Sequence, residues 1–221
     1  CLIFSLVMMT TIVDAHYAGY GKLVDTQSPL ESDTLQYRQT IINGTAIVIN
    51  DTGTIFFGFG KNLYLSSDRG KTSTLLYTFP DIIQSIYYYS YANILFVGSN
   101  DSNIYRSIDD GATWSSVLTM SPGYPLWYSW DSDSSKILLG RYGNTPKTND
   151  SIVYKSIDSG RTWTMFFNVS NYYNVTDTGA HTHLVKIDPY DNNRVFITVG
   201  DSNYYRGLYI TENNGLSFDQ T

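Results

Sequence analysis

Ser107-Ile108-Asp109-Asp110-Gly111-Ala112-Thr113-Trp114 returns as Ser156-Ile157-Asp158-Ser159-Gly160-Arg161-Thr162-Trp163, and this eight-residue phrase decides the fold. Two looser copies flank the pair: Ser66-Ser67-Asp68-Arg69-Gly70-Lys71-Thr72-Ser73 and Thr211-Glu212-Asn213-Asn214-Gly215-Leu216-Ser217-Phe218. The copies begin at 66, 107, 156 and 211, so they stand 41, 49 and 55 residues apart. A self-similar period of about 40–50 residues is that of one propeller blade. The phrase also has a local logic. Its third residue is a short polar side chain, able to bond backbone N–H groups two or three residues on and close a turn. The glycine two positions later supplies the positive φ that such a turn needs. Thr and Trp then open an outgoing strand, which both residue types favour, and the Trp ring covers and anchors the hairpin. The phrase therefore reads as a hairpin corner, with Asp109 and Asp158 in structural roles.

The surrounding sequence extends this reading. Upstream of each copy lies an apolar strand ending in glycine: Ile55-Phe56-Phe57-Gly58, Ile94-Leu95-Phe96-Val97-Gly98, Lys136-Ile137-Leu138-Leu139-Gly140 and Val195-Phe196-Ile197-Thr198-Val199-Gly200. A variable loop follows, then a short strand with tyrosine near the phrase: Leu63-Tyr64-Leu65, Ile104-Tyr105-Arg106, Val153-Tyr154-Lys155 and Leu208-Tyr209-Ile210. No long segment has a helical period. The expected fold is all-β, a β-propeller of four-stranded antiparallel blades at about 34–80, 81–123, 124–179 and 180–221. The last blade stops at Asp219-Gln220-Thr221, before a full fourth strand. Propellers close with about 4–8 blades, so the chain is read as a fragment of a longer propeller.

The amino end begins with Cys1 and the apolar run Leu2-Ile3-Phe4-Ser5-Leu6-Val7-Met8-Met9, uncharged until Asp14. Val13-Asp14-Ala15 places small residues for cleavage before His16, so residues 1–15 read as a partial secretory signal peptide and 16–33 as a linker into the first blade. An uncleaved membrane anchor is the alternative, though a span needs about 20 apolar residues. Six sequons agree with export: Asn43, Asn50, Asn100, Asn149, Asn168 and Asn174 each stand two residues before Ser or Thr.

Composition narrows the partners. The net charge is −6, with no basic run, which argues against nucleic acid. Charged residues make up 15% of the chain, against about 25% in ordinary domains. The only cysteine, Cys1, falls in the signal-like segment, so the expected mature protein has no disulfide and is held by its sheets alone. No cofactor or metal is called for. Of 20 tyrosines, Tyr87, Tyr88, Tyr89 and Tyr91 begin a blade whose inner strand is expected to line the central face.

The pattern S-x-D-x-G-x-T-W resembles the Asp-box, or bacterial neuraminidase repeat. Its structural positions here are Asp68, Gly70, Ser107, Asp109, Gly111, Trp114, Ser156, Asp158, Gly160, Trp163, Asn213, Gly215 and Phe218. The chain is similar, over roughly 34–221, to the Asp-box propellers: sialidases, xyloglucan-degrading hydrolases, sortilin-type receptors and photosystem assembly factors. The resemblance implies a box at the turn between third and fourth strands, away from the ligand face. For a sialidase it would also imply three arginines on a carboxylate, a Tyr–Glu nucleophile pair and an Asp acid/base. Tyr37-Arg38-Gln39-Thr40 sits where the family has Arg before Ile-Pro, but Ile-Pro is missing; Arg141, Arg194 and Arg206 follow, and Glu31 and Glu212 are the only glutamates.

Two local candidates for chemistry remain. Asp81, Asp131, Asp133, Asp188 and Asp201 lie near strand ends, where paired carboxylates of a glycosidase would be found. His181-Thr182-His183 begins an inner strand, and residues two apart on a strand point the same way, so both imidazoles are expected to face the central channel. The preferred expectation is a secreted or lumenal binding or scaffold module for a glycan or an extracellular protein, with Tyr88, Trp127, Trp130, His181 and His183 as the ligand-facing residues. The runner-up is a sialidase-like glycoside hydrolase whose remaining catalytic residues lie outside the fragment.

Overall fold

The computed structural model describes residues 46–120, 125–143, 151–172, 180–201 and 205–221, with backbone alone at 125–128 and 142–143. Among the described residues, sixteen strands form four antiparallel sheets. The first holds β1 (Ala46–Ile49), β2 (Ile55–Phe59), β3 (Asn62–Ser66) and β4 (Thr74–Thr78), and the second β5 (Ile83–Tyr89), β6 (Ile94–Ser99), β7 (Asn103–Ser107) and β8 (Ser115–Thr119). The third holds β9 (Pro125–Ser132), β10 (Ile137–Gly143), β11 (Ile152–Ser156) and β12 (Thr164–Asn168), and the fourth β13 (His181–Ile187), β14 (Val195–Gly200), β15 (Gly207–Thr211) and β16 (Asp219–Gln220). Each sheet is a simple meander in chain order, and its first strand packs beside the first strand of the next: β1 with β5, β5 with β9, β9 with β13. This is the blade arrangement of a propeller. The fourth strand of the last blade is two residues long, pairing Asp219 with Ile210 and Gln220 with Tyr209.

The core lies in the seams between blades. Phe56 and Leu63 of the first blade meet Ile83, Leu95 and Val97 of the second; Phe96 and Ile104 of the second meet Ile137 and Leu139 of the third; Leu138, Val153 and Phe167 of the third meet Val185, Ile197 and Tyr209 of the fourth. Alternate residues of β6 and β10 serve opposite seams, as the two-residue period of a strand requires. The spacing of the seams depends on glycine. Gly58, Gly98 and Gly140 pair with Leu63, Ile104 and Val153 at one shared register of their blades. A Cβ at Gly58 would lie 2.8 Å from Ile83 Cγ2, and one at Gly140 2.7 Å from Thr182 Cγ2. In the fourth blade that register, opposite Leu208, belongs to Thr198 and not to glycine. Gly200, expected to match the other three, sits two residues further on with the ring of its own blade's His183 against it.

The four phrases make one turn, each joining the third and fourth strands of its blade. The hydroxyl of Ser66, Ser107, Ser156 or Thr211 accepts the N–H of Gly70, Gly111, Gly160 or Gly215 at 2.8–2.9 Å. The same hydroxyl donates to Oδ1 of Asp68, Asp109, Asp158 or Asn213 at 2.7–2.9 Å. That Oδ1 accepts the N–H four residues on, from Thr72, Thr113, Thr162 or Ser217, at 2.9–3.0 Å. The residue before each glycine also has positive φ: Arg69 62°, Asp110 54°, Ser159 60° and Asn214 56°. Sequence alone had assigned that geometry to the glycine only. Trp114 does cover its hairpin, donating Nε1–H to Gly111 O at 2.8 Å, but it also reaches Phe79 and Tyr77 ahead of its blade. Trp163 meets Phe96 in the same sense, and Phe218 meets Phe166 and Phe167.

Candidate functional site

Each blade has two ends. The eight-residue turns share one end with the loops joining first and second strands; the other carries the links between blades and the loops joining second and third strands. His181 and His183 begin β13 at this second end, with Arg141, Ser151 and Asp201 near it. The strand is bulged there: pairing with β14 shifts between Thr182 and Leu184. The extra residue breaks the two-residue alternation. His181 is consequently buried, whereas His183 is turned outward, and the expectation that both rings face one way does not hold.

His183 Nε2 lies 3.0 Å from Asp201 Oδ2, and both side chains are near half exposed, at 43% and 47%. Behind this pair Arg141, Ser151, His181 and Thr182 are all buried in the seam between the third and fourth blades, and the Ser151 and Thr182 hydroxyls share a 3.1 Å hydrogen bond. The exposed pair can accept and donate hydrogen bonds to a polar ligand, and the Ser151–Thr182 bond ties the start of β13 to the third blade.

The other carboxylates have structural partners. Asp131 Oδ2 accepts Ile187 N–H at 2.7 Å, and Ser129 Oγ accepts Val185 N–H at 3.0 Å, tying the first strand of the fourth blade to that of the third. Asp133 accepts the N–H groups of Ser135 and Lys136 and pairs with the Lys136 ammonium at 2.9 Å. Asp188 accepts Tyr190 N–H and Asp81 accepts Ile82 N–H. Arg194 bridges Asp188 and Glu212, pinning the β13–β14 loop. Arg38 lies outside the described residues.

The expected aromatic face is distributed otherwise. Tyr87 and Tyr89 pack in the seam toward the third blade, and Tyr88 in the seam toward the first. Burial pushes the Tyr87 phenol up to about 12, against the lowering effect of its 2.7 Å hydrogen bond to Ser132. Trp130 stacks on Tyr87 at 5.2 Å with 4° between the planes and donates Nε1–H to Ser85 Oγ, which makes it a seam residue rather than one lining a central face. Trp127 lies on β9 opposite Tyr142, with its side chain outside the described residues. Tyr88 sits at the turn end, where its hydroxyl donates to Asn93 Oδ1 at 2.7 Å beside Asp51. Sequence reasoning missed Asp51 and Asp110 there; the one available signal was that Asp110 is the sole acidic residue at the phrase's fourth position, against Arg69, Ser159 and Asn214.

Among the sequons, Asn50 tops the β1–β2 hairpin, Asn100 follows β6 and Asn168 ends β12, where its Oδ1 accepts Ser170 N–H. Asn43, Asn149, Asn174 and the segment 1–15 lie outside the described residues. No helix among the described residues is long and apolar enough to cross a membrane.

No family model matches the chain, and no curated protein matches it. Solved structures do. A GH74 enzyme from Niastella koreensis is similar at 20% identity with a TM-score of 0.62, over 80% of this chain and 29% of its own. The GH74 xyloglucanase from Xanthomonas campestris matches at 15% identity and 0.56, over 82% of this chain and 31% of its own. The extracellular domain of a hybrid two component system from B. thetaiotaomicron matches at 14% identity and 0.58, over 84% of this chain and 23% of that one. The chain thus spans less than a third of each structure, and at these identities the likeness establishes the fold. The protein is an all-β chain of four-stranded antiparallel propeller blades.

Proposed function

We propose that this protein is an extracellular propeller module of the Asp-box type that binds glycan at the blade ends opposite its turns, without cleaving it. The observation that carries the reading is the His183–Asp201 pair, exposed at that end and set on a bulge over a buried polar cluster. The solved structures named as GH74 enzymes and as a xyloglucanase make xyloglucan the first ligand to consider. Secretion through the signal-like segment and glycosylation at one or more sequons belong to the same reading.

Binding is favoured over hydrolysis because of what the carboxylates already hold. A glycosidase needs two free carboxyl groups, about 5–5.5 Å apart for retention or 6.5–9.5 Å for inversion. Asp81, Asp131, Asp133 and Asp188 each accept a backbone N–H that keeps a strand or turn in place. The test is calorimetry with xyloglucan oligosaccharides and 3′-sialyllactose, alongside an assay for newly released reducing ends or sialic acid. The expected result is saturable binding of one of them with no release, weakened about tenfold or more by His183→Ala and by Asp201→Asn, as for hydrogen bonds to charged groups. Release of product would overturn the reading in favour of the sialidase-like hydrolase, and an absence of binding by both glycans would overturn its glycan ligand.

A further inference from the structure

The first strands β5 and β13 carry the same bulge. In β13 the extra residue is His183, between the Thr182–Val199 and Leu184–Thr198 pairs; in β5 it is Gln84, between Ile83–Ser99 and Ser85–Gly98. Matched on these pairs, Gly200 holds the place that Asn100 has in the second blade. His181 pairs with Gly200, and Asn100 donates its N–H to Ile82 O at 2.8 Å. The bulge itself therefore does not call for glycine, since the second blade has an asparagine there. The backbone does not call for it either, because Gly200 is not among the glycines with positive φ. Nor does the seam, whose glycine register in this blade belongs to Thr198. The imidazole does. A Cβ at Gly200 would lie 2.6 Å from Cε1, 2.7 Å from Nε2 and 3.1 Å from Nδ1 of His183, and these three are the atoms nearest to it.

The next residue completes the arrangement. Asp201 has φ 64°, in the left-handed region that Asp tolerates better than most residues, and its Oδ2 lies 3.0 Å from His183 Nε2. In the second blade the matching Asp101 is used differently. Its carboxylate accepts the Tyr105 hydroxyl at 2.6 Å and the Asn103 N–H at 3.1 Å, and the left-handed residue there is Ser102, one place later. We propose that Gly200 is the positioning residue of the His183–Asp201 pair: by carrying no side chain it seats the imidazole against β14 with Nε2 on Asp201. The proposal rests on the glycan-binding reading above, since it assigns Gly200 to the same site. A pair seated in this way is ordered before the ligand arrives, so binding does not have to fix the ring. A methyl group at 200 takes the place of the ring. Because His183 is 43% exposed, the ring can swing toward solvent, which breaks the pair without overfilling the seam.

The experiment joins two readouts on the full chain. The first is the NMR signals of the His183 ring, its Cε1–H and its nitrogens. Asp201→Asn should move them in the unsubstituted chain and leave them in place in a Gly200→Ala background, where the pair is already broken. The second is calorimetry with xyloglucan oligosaccharides. Gly200→Ala should weaken binding about tenfold, as His183→Ala does, and the two together should weaken it no further. Urea denaturation checks the fold: in a His183→Ala background, with the ring gone, Gly200→Ala should not lower the midpoint. His183→Gln combined with Gly200→Asn supplies a second variant, made of the residues that the second blade carries on the same bulge. It should fold, and bind as weakly as His183→Ala. Ring signals that respond to Asp201→Asn equally in both backgrounds would overturn the seat, as would full affinity in Gly200→Ala or losses that add in the double variant. Binding of no glycan by the unsubstituted chain would overturn the glycan reading instead, and the ring signals would still decide the seat.

Discussion

Gly160, at φ 77° in the turn of the third blade, lies so close to the ring of Phe96 in the second that a Cβ there would overlap the aromatic carbons. The relationship recurs from blade to blade. Gly111 stands against Leu76 of the first blade, where a Cβ would come within 2.7 Å of Cδ2, and Gly215 stands against Phe166 of the third. The turn glycine therefore answers two demands at once: a backbone conformation, and the close seating of each blade's turn on the blade before it. Arg106 reinforces the second contact by donating Nε–H to Ser159 O across the seam at 2.8 Å.

Gly160→Ala should accordingly cost more than backbone strain alone. The left-handed region penalises an L side chain by about 1–2 kcal/mol, and overpacking a filled seam adds about 1–3 kcal/mol. Gly53 is the matched control, since it has φ 83° but nothing within 4 Å of its Cβ position. Urea denaturation should give a loss of about 2–5 kcal/mol for Gly160→Ala and about 1–2 kcal/mol for Gly53→Ala. Equal losses would remove the seating from the argument.

The same turns set the response to acid. The backbone N–H of Thr72, with the Thr72 and Ser66 hydroxyls, holds Asp68 at about 2; the Thr113 hydroxyl and N–H, with Ser107, hold Asp109 there. Slight burial of Asp158 works the other way, but the Thr162 hydroxyl and N–H prevail and keep it at about 2 as well. A carboxyl group lowered in the folded state stabilises it above the unfolded value, and the contribution is lost as pH falls toward 2. A carboxyl-detected NMR titration should find these three groups ionised at pH 3. In the fourth turn Asn213 replaces the carboxylate and donates its amide to Ser217 Oγ, so the Ser217 N–H held by Asn213 Oδ1 should shift less between pH 4 and pH 2 than the N–H groups of Thr72, Thr113 and Thr162.

The seam between the second and third blades is sensitive at the alkaline end. Tyr87, stacked on Trp130 and bonded to Ser132, titrates near 12 rather than 10.0 because burial disfavours the phenolate. A raised value means that the neutral phenol belongs to the folded state: its contribution is complete below pH 10 and disappears as pH rises toward 12. Absorbance at the phenolate band should show a late-titrating tyrosine that Tyr87→Phe removes, along with part of the loss of stability between those two pH values.

The turns that repeat were legible in the sequence, and the bulges in first strands, at Gln84 of β5 and His183 of β13, were not. Four turns of one pattern disclosed the strand order, since Asp, Gly and Thr close the same hydrogen bonds wherever they recur. The outward turn of His183 depends on one extra residue in β13, and no composition or spacing signals a bulge at that point. A strict two-residue alternation is the default reading, and it put His181 and His183 on one face. The aromatic residues misled for a related reason. Tyr87, Tyr88 and Trp130 belong to first strands, but in a propeller the broad faces of a strand meet the neighbouring blades, and only its edge meets the centre. Thr198 shows the limit of reading repeats by eye: the glycine that ends its strand falls two residues from the register that its three counterparts share.

Lys136 offers the sharpest test of how the last two blades are joined. Its side chain is 3% exposed, and its ammonium reaches both Asp133 in its own blade and the backbone carbonyl of Asn192 in the fourth. Removing one member of a buried pair strands the other, at a cost of about 3–5 kcal/mol, whereas replacing both with uncharged groups of similar size is often close to neutral. Lys136→Met should therefore lose about 3 kcal/mol in urea denaturation. Asp133→Asn keeps the oxygen that accepts the Ser135 and Lys136 N–H groups, so the double variant should regain at least half of that loss. Additive losses in the two single variants would mean that the ammonium acts through the Asn192 carbonyl alone. The junction would then rest on that one backbone contact, and Asp133 would be a turn residue with no share in joining the blades.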